Sequence, residues 1–189
     1  RLPLVTDWND WFGRGGLISI SRPGWYRLLF ERIETYYEEA FRTRGAGLTV
    51  ISTALARRAV ALGVPEDRIC HIPGGVFSAD IPARTVEECR ERMGYPPDSP
   101  ILGYASADTY FDLELVLEAL RVVVRAFPRV KLIVSGKATK RTVELVRTHG
   151  VEDNVVFIGF VSSDDLTWHL GAADVLLLPF PDTVYNRGR

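Results

Sequence analysis

The sequence predicts an α/β fold: a doubly wound parallel sheet in the second half, preceded by part of another unit of the same kind. Three observations carry this. Short apolar runs alternate with helix-length amphipathic segments along the whole chain. The runs are apolar throughout rather than alternating, as in strands buried on both faces. A stretch rich in Gly, Pro and charge, residues 74–98, separates two such series. Strand–helix–strand repeats of this length require parallel pairing through right-handed crossovers. The expected units are residues 1–82 and 99–189, with 83–98 as a linker carrying a short helix around 85–93.

In the first unit, LPLVT (2–6) is the opening strand. A long helix follows over 24–43, opened by Pro23 and closed near Gly45. GLTVIS (47–52) is a strand, TALARRAVALG a helix closed by Gly63 and Pro65, and RICHIPGG (68–75) a strand running into a turn. In the second unit, ILGYAS (101–106) is a strand. Residues 112–127 form a helix with Asp112 as N-cap and Pro128 as its stop. VKLIVSG (130–136) is a strand, TKRTVELVRTHG a helix with Gly150 as C-cap, and VVFIGF (155–160) a strand. SSDDLTWHLGAA is a short helix capped by Ser162 or Ser163 with acids in its first turn. DVLLLPF (174–180) is the last strand. Both ends of the chain read as cuts through a larger fold.

Composition narrows the function classes. The chain has 189 residues, 47% hydrophobic and 25% charged, with a net charge of -1. That charge argues against nucleic acid as a partner. No apolar run approaches the roughly 20 residues needed to span a bilayer, and no signal-like start is present. Cys70 and Cys89 lack metal-ligand spacing and read as buried small apolar residues in a reducing compartment, so a cytoplasmic location is expected. The stripe Trp25, Leu29, Ile33, Tyr37 and Phe41 has helical spacing and reads as core packing, with peripheral membrane association as the alternative. His71 and His169 read as structural, and His149 as a helix-end residue facing the dipole. The exposed sheet edges of an incomplete first unit leave self-association open.

The order of motifs resembles the GT-B glycosyltransferases, and more specifically the large retaining family 4. In that family the first domain usually ends in a strand–Ser–helix segment, a Gly-Val-Pro-like turn and a strand reading like IPNGVD. Here the text is LTVISTALARRAVALGVPEDRICHIPGGVFSADI. The second domain's usual segments appear as VKLIVSGK, VEDNVVFIGFVSSDDL and AADVLLLPF, so the resemblance covers roughly residues 47–182. The sequence departs from the pattern in three places. The loop after the second domain's first strand, GYASADTYFD, lacks the usual Arg and Lys. Gly75 stands where Asn is common. The Glu–seven residues–Glu motif would lie beyond Arg189.

The resemblance implies transfer of a sugar, with retention, from a UDP- or GDP-linked donor to an acceptor hydroxyl on a carbohydrate or lipid-linked molecule. It implies no metal and no cofactor beyond that donor, and residues 1–82 and 99–189 become the acceptor-side and donor-side parts. The isolated chain is expected to be catalytically weak or dead. Ligands of open parallel sheets bind beyond the carboxyl ends of the strands. The donor-side candidates there are Ser106 in a turn with Asp108, then Ser135, Gly136 and Lys137, whose ammonium suits a diphosphate. Gly159, Phe160, Val161 and Ser162 form the turn that would hold the base. Asn186 and Arg187, with Arg189, would replace the missing loop cations through an Arg–phosphate fork, with a frayed tail as the alternative. On the acceptor side, the loop TDWNDWFGRGG offers Asp7 and Asp10 as carboxylates for sugar hydroxyls; a capped, partly disordered loop is the bland alternative. Two other functions stay open: a non-catalytic nucleotide-binding module of the same fold, and a nucleotide-sugar epimerase.

Overall fold

The structure is a computed structural model and describes residues 2–75, 83–105 and 112–188. It divides into two compact units, one of Arg1–Val76 with Asp182–Arg189, the other of Phe77–Pro181. Every strand pairing in both is parallel.

The first unit is a three-stranded sheet in the order β1 (Val5–Trp8), β2 (Gly47–Val50), β3 (Ile69–His71). The opening strand begins later than the apolar run LPLVT suggests. Pro3 cannot donate to a ladder, and the register with β2 runs through to Trp8, which pairs with Val50 and is fully buried. Helices α1 (Leu17–Ser21) and α2 (Gly24–Thr43) lie between β1 and β2, and α3 (Thr53–Ala61) between β2 and β3. Ser52 caps α3, its hydroxyl accepting from the Leu55 amide at 3.2 Å. The core is small: Trp8, Leu48, Val50, Leu55, Ala59 and Val64.

The second unit begins earlier than expected. Residues 83–98 are not a linker: they carry α4 (Val86–Met93), which packs on α7 (Ser163–Gly171). Arg90 ties this segment down. Its guanidinium donates to the Ala172 carbonyl (3.1 Å), the Pro97 carbonyl (2.5 Å) and the Asp174 carboxylate (2.7 Å). The same Asp174 oxygen accepts the amide of Ile101, the first residue of β4 (Ile101–Ala105), at 2.7 Å. The sheet adds β5 (Lys131–Ser135), β6 (Val155–Gly159) and β7 (Val175–Leu177) in the order β6-β5-β4-β7, with helices α5 (Leu113–Ala126) and α6 (Lys140–His149) in the connections. Burial on both faces holds for β4 and β5 at the centre. It fails for β7, an edge strand on which Val175 and Leu176 are exposed. Asp112 caps α5 and Gly150 ends α6 in the left-handed region, as the sequence reads. The aliphatic core runs from Val116, Leu117 and Leu120 of α5 to Val130, Leu132 and Val134 at β5 and Val146 of α6.

Three further expectations change. The stripe on α2 is not core packing: none of its apolar residues is buried, and Trp25 is 64% exposed with Leu29, Ile33, Tyr37 and Phe41 also open. Cys70 is exposed because it lies on the edge strand β3; Cys89 is buried. The tail is not frayed. It forms α8 (Val184–Arg187) within the first unit, with Tyr185 buried. No helix among the described residues is long and apolar enough to cross a membrane.

Candidate functional site

In the second unit the strand order reverses between β4 and β7, so the carboxyl ends of those strands flank a topological switch point, where open α/β sheets hold ligands. The amide of Asp112 donates to the Pro179 carbonyl at 3.3 Å, joining the start of α5 to the chain leaving β7. Ser106 and Asp108, in the turn after β4, lie outside the described residues. The neighbouring strand ends are well defined. The Gly136 amide donates to the Gly159 carbonyl at 2.8 Å, an isolated bridge beyond the β5–β6 ladder. Both glycines have positive φ, 103° and 71°, which L side chains rarely adopt. That bridge places Ser135, Gly136 and Lys137 beside Gly159, Phe160, Val161 and Ser162 at one end of one sheet. Lys137 is exposed, and Phe160 is 86% exposed on its turn. Ser162 starts α7: its hydroxyl accepts from the Asp165 amide (3.1 Å) and donates to the Asp165 carboxylate (2.8 Å).

Sequence reasoning missed two cations here. Lys140 and Arg141 open α6, directly after Lys137, and both are exposed. A helix N-terminus disfavours cations, and the first turn of α6 has no acid. Three positive charges therefore stand beyond β5, on the side of the sheet that carries the candidate turns. The signal was the cluster KATKR, which the Gly-Lys pair overshadowed.

Asn186 and Arg187 lie on α8. They belong to the first unit, and the Arg187 guanidinium makes a two-point pair with Asp182, at 2.6 and 2.7 Å. That pair holds the Asp182 carboxyl below its usual range, through the hydrogen bonds first and the charge second. The fork expected to meet phosphate is thus filled by a neighbouring carboxylate. Within the first unit α8 sits by the chain ends that follow β1 and β2. The Ser52 hydroxyl donates to the Gly188 carbonyl at 2.8 Å, and Val184 lies against Gly15.

The loop after β1 is ordered rather than partly disordered, because a buried carboxylate organises it. Glu38 of α2 accepts from the Trp8 indole (2.9 Å), the Phe12 amide (3.0 Å) and the Gly13 amide (2.6 Å). Arg58 of α3 pairs with Glu38 at 3.3 Å and with Glu39 at 3.0 Å. The guanidinium also lies over both Trp8 and Trp11, 4.7 and 4.1 Å from the ring centroids. The loop closes at Gly16, where a Cβ would lie 1.9 Å from the Trp11 carbonyl oxygen. Asp7 ends up exposed on β1, accepting from the Thr49 hydroxyl, and Asp10 is partly buried on the loop. Neither Glu38 nor Arg58 was legible as part of this site, since each reads as one more charge on an amphipathic helix.

The histidines behave as structural residues. His149 Nδ1 bonds the Leu145 carbonyl at 2.8 Å, and His169 Nδ1 meets the Tyr95 hydroxyl at 2.6 Å. Among the described residues no cluster of His, Cys, Asp and Glu could hold a metal ion.

Comparison with known proteins agrees with this geometry. The family described as Glycosyl transferases group 1 matches residues 86–181. An uncharacterized glycosyltransferase of Methanocaldococcus jannaschii is 24% identical over 95% of this chain and 46% of its own length. The chain therefore spans about half the length of the curated relative it matches. Among solved structures, HepE of Anabaena in complex with UDP and glucose superposes with a TM-score of 0.69 at 17% identity, over 94% of this chain and 46% of that one. Sucrose-phosphate synthase of Thermosynechococcus elongatus gives 0.72 at 19%, over 93% and 44%. These likenesses establish a GT-B-like α/β fold with parallel sheets. With the family match extending from α4 through β7 to Pro181, the chain belongs to the glycosyl transferases group 1 family.

Proposed function

We propose that this chain supplies the donor-binding end of a retaining glycosyltransferase that moves a sugar from a nucleotide diphosphate to an acceptor hydroxyl. The observation that carries this is the Gly136–Gly159 bridge, which gathers Ser135–Lys137 and Gly159–Ser162 at the carboxyl end of one parallel sheet. The turn at 159–162 holds the nucleoside, and Phe160 offers it an exposed aromatic face. Lys137, Lys140 and Arg141 supply the positive potential that favours a departing diphosphate. In the transfer, the acceptor oxygen bonds the anomeric carbon as the bond to the diphosphate breaks, and the hydroxyl proton leaves with the diphosphate. The loop after β1, with Asp7 and Asp10, faces the acceptor. A uridine nucleotide is favoured over a guanosine one because HepE, of similar fold, was crystallised with UDP and with UDP-glucose.

Calorimetric titration with UDP, GDP and their glucose and mannose conjugates tests the donor site. UDP is expected to bind, and Lys137→Ala to weaken it several-fold. Absence of binding for both nucleotide classes would remove the assignment. Loss of the cations from the loop after β4 favours a second reading, a nucleotide-binding module without transfer activity. Binding without any turnover of UDP-glucose by a longer chain that includes this one would select it.

A further inference from the structure

We infer that Arg84 is a positioning residue for the nucleoside-holding turn at 159–162, an inference that rests on the donor-site reading above. Arg84 stands just before α4, far from the turn in sequence, yet its guanidinium reaches α7. One nitrogen donates to the Thr167 hydroxyl at 2.7 Å and another to the Asp164 carboxylate at 2.9 Å. The group also lies 3.6 Å from the Trp168 ring centroid, and Arg92 lies over the same ring at 4.3 Å.

The bonds close on one another. The other Asp164 oxygen accepts from the Trp168 indole at 3.3 Å, and the Thr167 hydroxyl donates to the Asp164 carbonyl at 2.7 Å. Asp164 is the second residue of α7, two after Ser162, whose carbonyl accepts the Leu166 amide at 2.9 Å. Fixing the first turn of this helix therefore fixes where Ser162 and the turn before it end. A planar fork suits the task, since it sets direction as well as distance and stacks on the indole. Arg84 also neutralises Asp164, one of two acids at the mouth of the candidate site. The hydrogen bond from Arg84 is the main cause that holds the Asp164 carboxyl below its usual range.

The test is titration of uridine, UMP and UDP by NMR or calorimetry, held well below the melting midpoint of each variant. Arg84→Ala is expected to weaken all three by the same factor, about tenfold, equivalent to about 1.4 kcal/mol. Arg84→Lys keeps the charge without the fork and recovers only part of the loss. A uniform factor across the series is the signature of a nucleoside-side defect, and simple loss of stability would not produce it at a temperature where every variant is folded. Unchanged affinities in Arg84→Ala, or a loss confined to UDP, would overturn the inference while leaving the donor site in place. If the unaltered chain binds none of the three and no guanosine nucleotide, the donor-site reading fails and this inference fails with it.

Discussion

The two units solve the same packing problem with different materials. The second unit is held by hydrocarbon: a continuous aliphatic cluster from α5 through β5 to α6, with one buried arginine, Arg90, closing the amino end of the sheet. Among the described residues the first unit has three short strands and a core cluster of six buried residues, and it leans on a buried ion pair. Glu38 and Arg58 are 6% and 9% exposed. Each is multiply hydrogen-bonded, Glu38 accepting from the Trp8 indole and Arg58 lying over Trp8 and Trp11, the condition under which such a pair is tolerable. The difference suits the two roles proposed above. The loop proposed to meet an acceptor must stay open to solvent, and polar bonds from beneath hold it. Turns at the end of a sheet need only a rigid sheet.

The sharpest way to break this contrast is Glu38→Ala. It removes one of the two carboxylates that face buried Arg58 and leaves the Trp8, Phe12 and Gly13 donors without their acceptor, and breaking such a pair costs about 3–5 kcal/mol. In a Trp168→Phe background the remaining tryptophans all lie in the first unit. Their fluorescence transition in urea should then shift strongly while the second unit's melting is unmoved. A shift under about 1 kcal/mol would show that the pair is not what holds this unit.

The matching substitution in the second unit is Leu117→Ala, at a fully buried site of α5. Removing those methyl groups should cost about 3 kcal/mol, read as a lower urea midpoint by circular dichroism. An effect smaller than that of a surface substitution would mean the aliphatic cluster is not cooperative.

A third experiment bears on the cations beyond β5. The double variant Lys137→Ala, Lys140→Ala should weaken UDP binding about tenfold and flatten its dependence on salt, since phosphate contacts are screened. Uridine binding should be unchanged, in contrast to the uniform loss across uridine, UMP and UDP expected for Arg84→Ala.

The smallest effect concerns pH. Burial pushes the His169 pKa below its ordinary value of 6.5, with Asp165 opposing. The unfolded state then binds the proton more readily than the folded one. Stability from this site is complete above about pH 6.5 and declines as pH falls through that value toward the lower folded pKa. His169→Gln should remove this acid-side decline from the second unit's urea midpoint, and a decline equally steep in the variant would locate its origin elsewhere.

Much of the fold was legible because its signals are local. The caps read at Asp112 and Ser162 bond residues three positions away, so the sequence around each one suffices. The same holds for Gly150, whose positive φ ends α6. That the turns proposed for the donor gather at one end of the sheet was legible for a related reason: parallel strands all end on one side, so residues following successive strands share a face. The cations Lys140 and Arg141 were open to the same reasoning and were passed over.

What remained hidden depends on partners far along the chain. Glu38 meets residues 20–30 positions away, and Ser52 meets Gly188 at a separation of 136. Arg84 and Arg90 reach α7 and Asp174, 80 and 84 residues on, which is why a segment read as a linker became part of the second unit. Arg187 found a carboxylate five residues away before any phosphate, a choice that rests on the path of the tail. By itself, then, the sequence determined the alternation of elements, their parallel pairing and the face on which the donor turns gather, because periodicity and capping act within a few residues. Only the tertiary structure decided which charges are buried, which helix face stays open and to which unit each segment belongs, because a charge or an apolar stripe acquires its role from whatever distant chain packs against it.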